Sequence, residues 1–449
     1  MDLTKGPILK VLTKLALPIM ASAFLATAYN ITDMAWIGML GSEAVAGIGV
    51  GGMYMWLSSG LATLARTGGQ VYTAQSLGKG DRKAATKYAK ASLQLSFVFG
   101  VLFGVVCLLF TDALVAFFRL NGANAIEAAR IYIRIACGGI VFSYVGIAMT
   151  GLYTAQGDSK TPLKANFIGL VINMILDPML ILGVGLFPRL EMAGAAIATV
   201  IAQIIVVSVL LMDLGNGNKE DNIIKQAKVL SVPEPKYVKQ VVYLGGPIAL
   251  QSTLYCGISM VLSRLVTSFG DGAIAAQRVG GQIESLSWNT ADGFSSAINA
   301  FAAQNFGAKK IERVKKGYRI SALTMGIWGV FVGLAFFLFP RQISEIFFHE
   351  AEVIAISVDY LRIIGIGEAF MCIELMGVGA LSGLGNTKIC SIISIVLTGM
   401  RIPLAYLLSS TPLQLNGIWW ALTITSICKG FAMHIAFQKE IRTWRRKNG

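Results

Sequence analysis

Charge is what this sequence has least of. Asp, Glu, Lys and Arg together make up 14% of the 449 residues, against 55% hydrophobic, and only two residues are histidine. Water-soluble domains of this length carry far more charge, so the chain reads as a polytopic membrane protein. His349 and His434 fall in an outer loop and near the end of the last apolar run, away from any metal-ligand cluster. The six cysteines, Cys107, Cys137, Cys256, Cys372, Cys390 and Cys428, all lie in apolar stretches with no paired loop spacing. They read as packing residues, not disulfides or metal ligands. GKGDRK from Gly78 lacks the spacing of a phosphate loop. Neither an enzyme nor a resident cofactor is expected. A short apolar core ending in a cleavage site is also missing, and the first apolar run, from Leu15, is long enough to be retained.

What is present is a series of apolar runs. Twelve candidate helices cover roughly 15–38, 45–76, 86–110, 127–152, 163–187, 192–213, 238–269, 273–303, 317–339, 352–383, 388–410 and 414–437. The formal net charge of +14 does not point to nucleic acid, because the basic residues lie between the runs and not in one domain. Loops and tails of one side hold 27 of the 38 Lys and Arg, while the opposite loops hold only Arg119, Arg189 and Arg341. The positive-inside rule then places both termini in the cytoplasm of a multi-pass plasma-membrane protein.

The sequence also repeats. LALPI from Leu15 returns as LGGPI from Leu244, and AQSLG from Ala74 as AQNFG from Ala303, each 229 positions later. YIRI at Tyr132 returns as YLRI at Tyr360, and QGDSK from Gln156 as LGNTK from Leu384, each 228 later. A near-constant offset indicates duplication. Each copy has six helices, an even number, so two lobes enter the membrane the same way and a pseudo-two-fold axis along its normal relates them as a parallel repeat. The expected division is an N-lobe at 1–213, a cytoplasmic linker at 214–237 and a C-lobe at 238–449 with a short basic tail.

The few polar residues inside the runs carry the functional argument. ANFIGLVINMILDPMLILGVGLF, residues 165–187, is long enough at about 1.5 Å per residue to cross a hydrocarbon core of about 30 Å. It nevertheless holds Asn173 and Asp177, one turn apart, and Pro178, which leaves the carbonyl of Met174 without its usual helical donor. An acid at such depth needs a partner or a water-filled cavity. Asp33, with Tyr29 and Asn30 on or beside its face, and Thr199 come to similar depth in helices 1 and 6. Carboxylate, amide and hydroxyl oxygens suit a hard cation, and paired carboxylates also suit a proton, so Na+ and H+ are both allowed. The second half has its own acids, Glu284, Asp292, Glu368 and Glu374; Glu368 sits mid-span beside Gly365 and Gly367. Pairing with Arg66, Arg264, Arg278, Arg362 or Arg401 is the alternative role for Glu284 and Glu374. Trp36, Trp56, Trp288 and Met53 to Met55 could wall a site for flat cations.

LALPIM from Leu15, TDMAWIGMLG from Thr32, QGDSKTPL from Gln156, LDPMLI from Leu176, AGAAIAT from Ala193, QIESLSW from Gln282, FAAQNFGA from Phe301 and LSGLGNTK from Leu381 together resemble the multidrug and toxic compound extrusion (MATE) transporters, in order over nearly the whole chain. The resemblance implies a V-shaped, all-α fold of two six-helix lobes. It further implies a monomer that exports cationic or amphipathic small molecules from the cell in exchange for Na+ or H+. Relatives bind the coupling cation at positions matching Asp33, Asn173, Asp177 and Thr199, and bend helix 1 at the position matching Pro18. Another branch carries an acid in helix 7, where this chain has Gln251. Tyr29, Asn30, Trp36, Glu284, Trp288 and Glu368 are the substrate candidates. Two other functions compete. A flippase for lipid-linked saccharides would favour a cationic cavity, and a membrane receptor or scaffold would be expected to carry appended soluble domains.

Overall fold

The computed structural model describes residues 2–40, 42–118, 122–184, 188–215, 222–229 and 231–448. Helices carry nearly all of these residues and no strand occurs among them. The first half holds α1 (Ile8–Gly38), α2 (Ser42–Gly78), α3 (Arg82–Leu109), α4 (Thr111–Phe117), α5 (Ala123–Tyr132), α6 (Val141–Ala155), α7 (Lys160–Ile181), α8 (Met192–Gly215) and α9 (Ile223–Gln226). The second holds α10 (Pro235–Thr267), α11 (Asp271–Gly307), α12 (Ile311–Leu338), α13 (Pro340–Glu345), α14 (Ala351–Gly383), α15 (Thr387–Gly399), α16 (Arg401–Ser409) and α17 (Gln414–Asn448).

Among the described residues, all twelve apolar runs form helix. Nine helices among the described residues are long and apolar enough to cross a membrane, counting α15 with α16 as one. A tenth span is the pair α5 and α6, bent by 47° after a π turn at Ile133–Cys137. The remaining two runs are α2 and α11, 37 residues each. Residues such as Arg66, Gln70, Glu284, Asn289 and Asp292 make these two less apolar than their neighbours.

Two compact units divide the chain, one of Ala21–Ala249 and one of Asp2–Met20 with Leu250–Gly449. They are called unit 1 and unit 2 below. Both boundaries fall inside a helix and two residues after a proline, Pro18 in α1 and Pro247 in α10. The two prolines lie 229 positions apart, so the exchange of helix segments is itself duplicated.

The repeat is visible in packing. A Cβ on Gly51 would overlap the ring of Tyr132, and one on Gly280 the ring of Tyr360. A Cβ on Gly100 would meet the Cα of Val141 at 2.7 Å, and one on Gly329 the Cα of Ala369 at 2.6 Å. These pairs correspond at offsets of 229 and 228, so each unit brings its helices together on the same missing side chains. Within unit 1, α9 packs into the core through Ile223 and Ile224, in one cluster with Leu152, Tyr153 and Leu210. The strand of chain that follows is tied down by Gln94, whose Nε2 donates to the carbonyls of Val229 and Ser231 at 2.7 Å.

Candidate cation and substrate site

In unit 1 the buried stripe of α7 runs through Ala165, Gly169, Asn173, Asp177 and Leu180, the 3.6-residue period of one helix face. Gly169 permits close approach of α8, since a Cβ there would lie 3.2 Å from the carbonyl of Ala202. Asn173 and Asp177 are 1% and 0% exposed. Asp33 and Thr199 are also buried, on α1 and α8. The Thr199 hydroxyl donates to the carbonyl of Ala195 at 3.0 Å and stands 3.3 Å from the Tyr29 hydroxyl. Among the described residues, Oδ1 of Asp33, both carboxyl oxygens of Asp177 and both amide atoms of Asn173 are buried with no hydrogen-bond partner. Buried polar atoms are rarely left so, and a carboxylate in this state must take a proton or a cation. The donor set is carboxylate, amide and hydroxyl oxygen, suited to a hard monovalent ion or a proton. No group of three or more His, Cys, Asp or Glu at metal-binding spacing occurs among the described residues.

A cavity of about 380 Å³ opens beside this cluster. Tyr29, Asn173 and Thr199 line it together with Arg66, Asn166 and Gln203, and the apolar wall includes Leu25, Phe142, Ile147 and Val206. Its size is that of a drug-binding pocket. Arg66 is the one charged side chain among the described residues that line it.

The remaining sequence candidates fall elsewhere. The Asn30 side chain lies outside the described residues. Trp36 packs against the apolar cluster of Ile37, Ile48, Tyr132 and Ile181. Pro178 sits in the last turn of α7, directly after Asp177. Glu284, Trp288 and Glu368 belong to unit 2. There Tyr360 donates to Glu284 at 3.2 Å, Ser287 donates to Glu368 at 2.8 Å, and the Trp288 ring is 44% exposed. Glu374 pairs with Lys429 at 2.9 Å, both buried. Arg401, also buried, donates to Thr425 at 2.9 Å and Ser426 at 3.0 Å. The partner of Glu374 is thus a lysine, and none of the five arginines proposed for it. A lone Lys within the apolar run 414–437 was the available signal.

Correspondence between the units explains the convergence in unit 1. Gly194 packs on the carbonyl of Leu180 as Gly417 packs on that of Leu408, and Gly139 meets Val200 as Gly367 meets Thr423. These pairs set α8 against α17 at an offset of 223. Asp33, Asn173, Asp177 and Thr199 then correspond to Leu262, Arg401, Ala405 and Leu422. Leu262, Ala405 and Leu422 share one apolar cluster in unit 2. The same geometry in unit 1 gathers the oxygen ligands.

The MatE family model matches the chain twice, at residues 18–179 and 247–407. The chain belongs to the MATE family of membrane transporters. The two matches begin 229 positions apart and end 228 apart, the same offsets as the repeat. This MATE chain is 27% identical over 412 residues to a probable multidrug resistance protein NorM of Thermotoga maritima, covering 91% of this chain and 88% of that one. It is 25% identical over 447 residues to a FAD transporter of Shewanella oneidensis, covering 97% and 96%. A solved multidrug resistance MATE family transporter of the MOP superfamily, described in an outward-facing conformation, superposes with a TM-score of 0.91 at 22% identity over 99% of this chain and 98% of that one. The fold is therefore that of MATE transporters, multi-pass and helical.

Proposed function

We propose that this MATE transporter exports cationic or amphipathic organic molecules across the plasma membrane in exchange for inward Na+ or H+, acting as a monomer with both termini in the cytoplasm. The coupling site is Asp33, Asn173, Asp177 and Thr199, and the substrate occupies the neighbouring cavity. The observation that carries the proposal is the set of buried oxygens of Asp33, Asp177 and Asn173 that have no hydrogen-bond partner among the described residues, beside a drug-sized cavity. The name of the Thermotoga maritima relative supports a drug-like substrate.

Coupling follows from competition. With the site open outward, a cation neutralises the carboxylates, the cavity loses its negative field, and the substrate leaves. With the site open inward, substrate arrival favours cation release. Neither ligand needs to push the other, because differential affinity for the two states suffices. Pro18 removes a backbone hydrogen bond two residues before α1 passes from unit 2 to unit 1, which makes it the natural bending point.

Efflux of ethidium from loaded vesicles, driven by either an imposed Na+ gradient or an imposed pH gradient, tests this. Wild type should respond to one of them, which names the coupling ion. Asp33→Asn should lose cation-driven efflux while remaining folded and inserted. Normal efflux by that variant would sink the proposal, and failure of wild type under both gradients would favour the lipid-linked saccharide flippase.

A further inference from the structure

We infer that residues 2–6, which precede α1, are a hook that fastens the first half of α1 to α11 and α12, and that Gln304, Asn305, Lys310 and Arg313 are positioning residues for transport because they hold it. This rests on the export reading above. Chain ahead of a helix ordinarily runs over the surface, yet Leu3 is fully buried. Its N–H donates to Oε1 of Gln304 at 3.1 Å, and its carbonyl accepts from Nδ2 of Asn305 at 3.1 Å. The next two carbonyls are also taken, that of Thr4 by Nζ of Lys310 at 3.0 Å and that of Lys5 by the Arg313 guanidinium at 2.8 Å. Bonds from a charged donor are the stronger kind. Arg313 is itself set over the ring of Phe301, and Asn305 also donates to the Phe301 carbonyl at 2.8 Å, so the catch is fixed from below. Gly6, with a φ of 78°, turns the chain out of the hook and toward α1.

Every residue of this contact belongs to unit 2. The first half of α1 continues on the same unit: Leu12, Leu15 and Ala16 are buried, and a Cβ on Gly293 of α11 would lie 3.1 Å from the backbone N of Met20. After Met20 the helix joins unit 1, where Tyr29 and Asp33 lie. One helix thus has its start hooked to one unit and its acid in the other, so relative movement of the units reaches Asp33 as a bend of α1. Pro18 lowers the stiffness near the crossing by removing one backbone bond. Duplication gives a control. The first half of α10 belongs to unit 1, where a Cβ on Gly245 would overlap the carbonyl of Leu64. The chain ahead of it is held by α3, with Lys90 donating to the carbonyl of Val232 at 2.6 Å and Lys87 paired with Glu234 at 2.9 Å. Val232 stands at the position of Leu3 in the repeat, 229 residues on, and is 82% exposed. In its second half α10 has Leu262 where α1 has Asp33. The helix with the buried hook is the one that carries the acid.

Distances between spin labels on the purified, full-length protein test the inference. With the exposed Cys428 replaced by serine, labels go in pairs on three exposed positions, Lys5 in the hook, Lys83 on α3 of unit 1 and Lys316 on α12 of unit 2. When Na+ or acid is added, the distances from Lys83 to Lys316 and from Lys83 to Lys5 should change together, while the distribution between Lys5 and Lys316 stays as it was. Asn305→Ala with Lys310→Met should broaden that last distribution. The same double variant should lower the maximal rate of cation-driven ethidium efflux by about ten-fold and leave equilibrium ethidium binding within about two-fold. Lys310→Arg, which keeps a donor to Thr4, should keep the wild-type rate. A distance between Lys5 and Lys316 that shifts as much as that between Lys5 and Lys83 in wild type would overturn the inference. So would wild-type efflux by the double variant, or a parallel fall in binding and rate, the mark of residues that serve stability alone. If wild type neither binds nor exports ethidium and the distance from Lys83 to Lys316 is constant in both cations, the export reading falls and the role of the hook with it. If that distance responds while the hook detaches, only the hook is wrong.

Discussion

Gly146 and Val206 stand on the wall of the unit 1 cavity; the positions corresponding to them in unit 2 are Glu374 and Lys429, a buried ion pair at 2.9 Å. Where unit 1 leaves Asn173 without a partner among the described residues, unit 2 has Arg401 bonded to Thr425 and Ser426. Where unit 1 has Asp33, Asp177 and Thr199, unit 2 has the apolar cluster of Leu262, Ala405 and Leu422. Packing on glycine is common to both halves, as Gly51 with Tyr132 and Gly280 with Tyr360 illustrate. Duplication thus supplied one scaffold twice. One copy keeps space and unpartnered oxygens, and the other fills the same place with side chains that satisfy one another.

The sharpest way to break this comparison is to unpair the filler. Lys429→Met leaves Glu374 buried without a counter-charge and should cost about 3–5 kcal/mol, read as a large fall in thermal stability of the purified protein. Adding Glu374→Met should recover most of it. If the single variant is as stable as wild type, the pair is not filling a structural role and the contrast between the units collapses. A smaller effect concerns the loops after α2 and α11. Gly80 takes a φ of 79° in the first, and Lys309, its counterpart, takes 59° in the second. A left-handed conformation costs a residue with a Cβ roughly 1 kcal/mol, so Lys309→Gly should stabilise the protein by about that amount. No gain would mean that the two loops differ in more than their residue.

Much of the fold was legible because it is written in hydropathy. Each of the twelve apolar runs is helical among the described residues, two of them in two pieces, and α2 and α11 emerged as helices despite their polar residues because the runs, not individual residues, set the pattern. The duplication was legible from four short matches, one of which carries a glycine that the backbone needs in both copies: Gly157 and Gly385 have φ of 76° and 92° at equivalent turns. In the candidate site, Asn173 and Asp177 stood out as polar residues where none should be tolerated. Arg66 was visible as an arginine within an apolar run, but its packing on Gly151 is a contact between helices that no local pattern records. Lys429 was overlooked for a similar reason, since its meaning lies in a partner 55 positions earlier. Trp36 and Trp288 looked alike in sequence, yet one packs into an apolar cluster and the other is 44% exposed.

The central claim is that cation binding at Asp33 and Asp177 and substrate binding in the neighbouring cavity of unit 1 oppose each other. Its most direct test is equilibrium binding of ethidium to purified protein, titrated with Na+ at fixed pH and with acid at fixed Na+, for wild type and Asp33→Asn. The account predicts that one of the two titrations weakens ethidium binding to wild type by about ten-fold or more and leaves the variant unaffected. Ethidium affinity that is indifferent to both cations in wild type, or equally sensitive in Asp33→Asn, would contradict it.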